Sequence, residues 1–221
     1  MDLPFEVVNE AADCLQGLNP RQKEAAELLS GPLLIIAGAG TGKTRTLTAR
    51  IARLIASGVA PWRILALTFT NKAAGEMRRR VDALVPGRGS QVWIHTFHSL
   101  GARLLRRHAE ALGLKQDFLI YDEDDQRKIL QSILSGTGQD KEKSKAGLYA
   151  SLISRAKDDL LDARSYSIHA QTAPTQARIP VAEVYEKYQA RLDQSGALDF
   201  GDLLLKTVEM LRDKQDIREH Y

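Results

Sequence analysis

The stretch LLIIAGAGTGKTRTL, Leu33 to Leu47, decides how the rest of the chain is read. Four strand-forming apolar residues, Leu33 to Ile36, run into a loop of small residues, and a helical pattern starts near Lys43. A strand, a small-residue loop and a helix N-terminus, in that order, form the context that a phosphate-binding loop requires. Gly38, Gly40 and Gly42 allow positive φ angles, so several backbone N–H groups can converge on one anion. The helix dipole adds its positive end at the same point. Lys43 is placed to reach the β- and γ-phosphates, and Thr44 to offer a hydroxyl to Mg²⁺. The pattern G-x-x-x-x-G-K-[ST] departs from the usual form in one place: Ala37 stands where the first glycine is normal. That residue ends the expected strand Leu33–Ala37, and extended backbone tolerates a methyl group. A glycine-rich turn without a ligand would not need Lys and Thr directly after its last glycine. The loop Ala37, Gly38, Ala39, Gly40, Thr41, Gly42, Lys43, Thr44 is therefore expected to bind a nucleotide with Mg²⁺.

Around this loop the chain reads as alternating strands and helices. LNPRQKEAAELL opens a helix with Asn19 as cap and Pro20 in the first turn. A helix from Lys43 to about Ser57 follows the loop. RILALTF reads as a buried strand, Asn71 as the cap of KAAGEMRRRVDAL, and QVWIHTF as a third strand before HSLGARLLRRHAEAL. Such alternation predicts an α/β fold with a parallel sheet flanked by helices. From about Leu114 strand candidates nearly vanish. FLIYDEDDQRKILQSIL is one apolar run and then a helix, SGTGQDKEKSKAG is a polar loop, and VAEVYEKYQARL puts Val181, Val184, Tyr185, Tyr188 and Leu192 on one helix face. The organisation predicted is 1–113 as nucleotide-binding domain, 114–195 as an all-helical insertion, and 196–221 as a segment returning to the first domain.

Composition narrows the function classes. The chain has 221 residues, 43% apolar and 27% charged, enough for one large domain or one and a half small ones. One cysteine, Cys14, cannot form an internal disulfide, which fits a reducing cytosol and a cytoplasmic location. No run approaches the roughly 20 apolar residues of a membrane span, and the N-terminal MDLPFEVVNEAADCLQ has acids where a signal peptide has bases. The net charge of +3 is unevenly spread: residues 71–110 hold eight bases against three acids. A basic stripe next to a nucleotide loop suggests a polyanionic partner, although a solvated helix face gives the same pattern.

GLNPRQKEAA, AGAGTGKTRTL, ALTFTNKAAGEMRRRV, HTFHSLGARLLRR and GALDFGDLL together resemble the UvrD/Rep-like, PcrA-like superfamily-one DNA helicases, in order and in approximate spacing, over essentially the whole chain. TFTNKAAGEM is the most specific of these segments; the phosphate loop is shared with many unrelated NTPases. The resemblance implies a RecA-like P-loop NTPase domain with a helical insertion, using ATP and Mg²⁺ to move on single-stranded DNA, usually 3′ to 5′, and to open duplex at single-strand/double-strand junctions in repair or replication. By resemblance Gln22 hydrogen-bonds the adenine edge, a task that suits an amide because it donates and accepts together. Arg45 is assigned near the nucleotide, with pairing on the helix surface as the alternative. Phe69, Thr70, Asn71 and Lys72 resemble one DNA-contact segment, and Thr96 and His98 a second. Phe69 would stack on a base, its alternative being a core aromatic that ends a strand. His95 and His98 lack the further ligands that a metal pair needs, and Arg78, Arg79 and Arg80 are assigned no specific contact.

Two further expectations complete the reading. Asp122 to Asp125 imitates an acidic Mg²⁺- and water-binding segment, but acids in this order after an apolar run are what a helix start favours, so Asp122 is read as a cap. The family's Asp-Glu-Gln-Asp segment and second motor domain are expected beyond Tyr221. The 221 residues alone are thus expected to bind ATP weakly and not to unwind DNA. The alternatives are a small-molecule kinase with the same loop, a DNA-binding or partner-docking module with a degenerate nucleotide site, and the front of a recombination nuclease-helicase.

Overall fold

The structure, a computed structural model, describes residues 14–135, 145–172 and 178–221. The described residues divide into two compact units, with the boundary between Phe97 and His98 in the first turn of a helix.

In the first unit, α1 (Pro20–Glu27) and α2 (Lys43–Ala56) precede β1 (Leu65–Thr68), α3 (Asn71–Leu84) and β2 (Trp93–Thr96). β1 and β2 pair in parallel, with Leu65 opposite Trp93 and Thr68 opposite Thr96. Period-3.6 spacing on α2 buries Ile51, Ala52 and Ile55 against Ala66 and Ile94 of the strands and Ala74, Met77 and Val81 of α3. At the front of α1 the expected cap is present in full. The Asn19 side chain accepts from the Gln22 N–H, and the Gln22 side chain accepts from the Asn19 N–H.

The apolar run before the phosphate loop differs from expectation. Leu33–Ala37 is extended but belongs to no ladder, and Leu34 and Ile36 are 82% and 90% exposed. A parallel strand needs hydrogen-bonding neighbours, and among the described residues β1 is paired with β2 alone. The run has the composition of a strand covered on both faces, and no described strand lies beside it. The first unit thus shows a two-stranded sheet where three strands were expected.

The second unit follows with α4 (Phe97–Arg107), β3 (Leu119–Tyr121), α5 (Glu123–Ser135), α6 (Ala146–Asp158), α7 (Ala163–Thr172), α8 (Arg178–Ser195), β4 (Ala197–Asp199), α9 (Phe200–Asp213) and α10 (Gln215–His220). Val181, Val184, Tyr185, Tyr188 and Leu192 of α8 are buried as the spacing predicts, against Leu130 and Leu134 of α5 and Ile153 of α6. The region is helix-rich but not purely helical. β3 and β4 form a second parallel pair, with Leu119 opposite Ala197 and Tyr121 opposite Asp199. Three-residue strands give too little pattern to separate from loop, and their pairing spans almost eighty residues of sequence. Most of the predicted polar loop, at 136–144, lies outside the described residues.

Candidate nucleotide and DNA sites

The phosphate loop is shaped by two positive-φ glycines, Gly40 (φ 74°) and Gly42 (φ 89°); Gly38, expected to join them, is not in that region. Gly42 is the N-cap of α2 and brings no side chain to satisfy the helix's first N–H groups. Those donors are left facing the loop, as an anion site needs. The Lys43 ammonium donates to the Ala37 carbonyl at 2.9 Å and the Gly38 carbonyl at 2.6 Å, which places it inside the loop. The Thr41 hydroxyl donates to the Gly38 carbonyl at 2.8 Å and closes the turn. Ala37 and Ala39 are exposed and impose no steric block, and Thr44 is exposed in the first turn of α2. A cation, a row of uncapped N–H groups and an exposed hydroxyl fit a triphosphate with its metal. Gln22 donates to the Thr41 carbonyl at 2.9 Å, so it reaches this loop from α1. Arg45 points elsewhere: its guanidinium donates to the Gln16 carbonyl at 3.0 Å, closer to the surface-pairing alternative than to a phosphate contact.

At the end of β1 the chain turns outward. Phe69 is 89% exposed, which rules out the core-aromatic alternative. Its ring lies 5.6 Å from that of Phe97, which is 43% exposed. Sequence reasoning passed over Phe97; its only signal was an aromatic following a strand, the same signal that marked Phe69. Thr70, not Asn71, is the cap of α3, its hydroxyl accepting from the Ala73 N–H at 3.1 Å. Both residues can cap, and the extended backbone at position 70 decides between them. Asn71 and Lys72 are exposed in the first turn of α3. Thr96 is only 6% exposed, so its side chain is not presented to solvent as Phe69 is. Of the arginine cluster, Arg78 donates to the Ile94 carbonyl at 2.7 Å and Arg80 pairs with Glu76.

In the second unit His98 is half-buried, and Phe200 meets it edge-on with ring centroids 5.5 Å apart. Phe200 is 50% exposed, at the first position of α9, outside the helix's buried stripe of Leu203 and Met210. What fixes it is a charge cluster that sequence reasoning missed. The fully buried Lys157 ammonium lies 2.8 Å from Asp199 and 2.8 Å from Asp202, and the Tyr188 hydroxyl donates to Asp199 at 2.9 Å. Asp199 and Asp202 also form the capping box of α9. Burial pushes the Asp202 carboxyl up, and Lys157 opposes that shift. A β-carbon at Gly201 would lie 2.8 Å from the Lys157 side chain, so the lysine can enter only past a glycine.

Asp122 behaves as expected of a cap. It accepts from the N–H groups of Asp124 and Asp125, each at 2.9 Å, and these bonds, the Asp125 one foremost, hold its carboxyl below the usual range. A cleft of about 950 Å³ lies in this second unit between Asp122, Arg127, Ser154, Arg155 and Lys157. No helix among the described residues is long and apolar enough to cross a membrane.

Residues 18–221 match the family model of the UvrD/REP helicase N-terminal domain. The chain is 45% identical over 216 residues to the ATP-dependent DNA helicase UvrD1 of Mycobacterium leprae, covering 96% of this chain and 28% of that protein. It is 44% identical over 207 residues to the ATP-dependent DNA helicase PcrA of Leuconostoc citreum, covering 93% of this chain and 27% of the relative. For PcrA of Bacillus subtilis the figures are 42% over 208 residues, 94% and 28%. The chain thus spans little more than a quarter of the length of these relatives.

Proposed function

The chain belongs to the UvrD/REP helicase N-terminal domain family, and from that premise we propose that it is the ATP-binding front of a cytoplasmic, ATP-dependent DNA helicase acting in repair or replication. The family implies a P-loop NTPase α/β fold. The finer organisation proposed is a RecA-like part at 1–113, an inserted subdomain at 114–195 and a return segment at 196–221. The observation that carries the reading is Lys43, held within a loop whose helix N-terminus has no capping side chain. Lys43 and the N–H groups of α2 bind the β- and γ-phosphates, Thr44 holds Mg²⁺, and Gln22 faces the adenine. Bound metal would supply charge neutralisation on the transferring phosphoryl group.

The DNA track proposed is single-stranded, near a duplex junction, with 3′-to-5′ movement. Phe69, aided by Phe97, offers an exposed face to a base, and Thr70, Asn71 and Lys72 present the start of α3 to phosphates. Thr96 and His98 follow by resemblance, and Phe200, exposed beside His98, adds a second aromatic face.

Titration of the chain with a fluorescent ATP analogue and Mg²⁺ tests the nucleotide half. Binding is expected for the wild type and is expected to vanish in Lys43→Ala, with an unchanged melting curve because Lys43 is exposed and packs in no core. Equal affinity in both proteins would overturn the reading.

A further inference from the structure

The Gln22 amide does more than wait for a base. Its oxygen accepts from the Asn19 N–H at 3.0 Å, and its nitrogen donates to the Thr41 carbonyl at 2.9 Å. Asn19 in turn accepts from the Gln22 N–H at 2.9 Å, which fixes the residue's backbone. One side chain therefore joins the cap of α1 to the residue just before the cap of α2. The fit is close: a β-carbon on Gly42 would lie 2.8 Å from the Gln22 nitrogen. The other hydrogen bonds that shape the loop, from Lys43 and Thr41, come from the loop itself or its own helix. Gln22 supplies the bond that reaches it from a separate element.

We propose that Gln22 is a positioning residue for the phosphate loop, holding the Thr41–Gly42 peptide so that the α2 N–H groups and Lys43 face the triphosphate. This rests on the nucleotide reading above and adds to it. A residue that only reads adenine affects the base-bearing ligand alone. A residue that sets the loop affects a triphosphate with no base attached. An amide suits the second task because it accepts from α1 and donates to the loop at once, with one amide hydrogen and one lone pair still available. Holding the loop in its binding form before the ligand arrives lowers the ordering cost of binding.

The test is calorimetric titration of the 221-residue chain with Mg-ATP, Mg-GTP and inorganic tripolyphosphate, for the wild type, Gln22→Ala and Gln22→Met. Gln22→Met keeps the side chain's length but, like the alanine variant, loses both the donor and the oxygen that accepts from Asn19, so unchanged helical circular dichroism in both variants is the guard against loss of α1. Loss of one loop-setting hydrogen bond is expected to weaken tripolyphosphate about three- to ten-fold in both variants. Mg-ATP is expected to fall by at least the same factor, and amide exchange at Thr41–Lys43 to speed up. Unchanged tripolyphosphate affinity alongside weakened ATP would make Gln22 a base reader only and overturn the proposal. No change with any ligand overturns it too. A wild type that binds none of the three would bring down the nucleotide reading itself, a result distinct from either.

Discussion

An aromatic ring left 89% exposed at the end of a strand, as Phe69 is, gains little from folding beyond its contact with Phe97. Its removal is therefore expected to be close to neutral for stability, within about 0.5 kcal/mol. For DNA the expectation is the opposite. If Phe69 stacks on a base, Phe69→Ala weakens oligo-dT binding by about 1–3 kcal/mol without altering the salt dependence, since no phosphate contact is lost. Lys72, exposed one residue into α3, acts by charge. Lys72→Ala is expected to flatten the plot of log affinity against log salt by about one unit. Fluorescence anisotropy across a salt series separates the two effects. Two variants that track the wild type at every salt concentration would move the DNA path away from β1 and α3.

At the scale of elements, what could be read from sequence was whatever depends on near neighbours. The Asn19 cap, the α2 start at Lys43, the apolar face of α8 and the Asp122 cap are all set by spacings of a few residues, and all are present. What was missed depends on partners far away in sequence. Leu33–Ala37 has a strand's composition but no ladder beside it, and β3 and β4 are too short to announce themselves. Thr70 displaced Asn71 as a cap because either residue type serves. Nothing near Lys157 in the sequence marks it out, since its partners Asp199 and Asp202 lie more than forty residues on. Its burial between two carboxylates makes its removal costly. Lys157→Met leaves two carboxylates buried without their counter-charge, a change expected to cost roughly 3–5 kcal/mol in urea unfolding at pH 7. The pH dependence has a definite sign. In the variant the folded pKa of Asp202, already raised by burial, rises further above its unfolded value, so its ionised form destabilises the fold. The deficit should then shrink as pH falls through the raised pKa. A loss within error of zero at pH 7, or one that grows on acidification, would count against the cluster as the anchor of α9.

Across the whole chain the question is which acids are free to serve phosphoryl transfer. Such a site needs its metal held from two sides and a group to position the attacking water. Thr44 offers one side. Two aspartates follow short strands, the position from which an acid could supply the other, and both are committed elsewhere. Asp122, after β3, accepts from the Asp124 and Asp125 N–H groups, and Asp199, at the end of β4, is bound by Lys157 and Tyr188. The 221-residue chain is accordingly expected to bind Mg-ATP and to show no DNA-stimulated hydrolysis in a phosphate-release assay. A protein carrying these residues within a chain as long as the UvrD1 and PcrA relatives is expected to show it strongly. In that longer protein Asp122→Asn should leave turnover essentially unchanged and lower the Tm slightly. The cap's contribution is present above the unfolded carboxyl pKa and is lost as pH falls through the depressed folded value, so the Tm difference should disappear at strongly acidic pH. Robust turnover by the 221 residues, abolished by Asp122→Asn, would make Asp122 the metal-side acid and reverse its assignment as a cap.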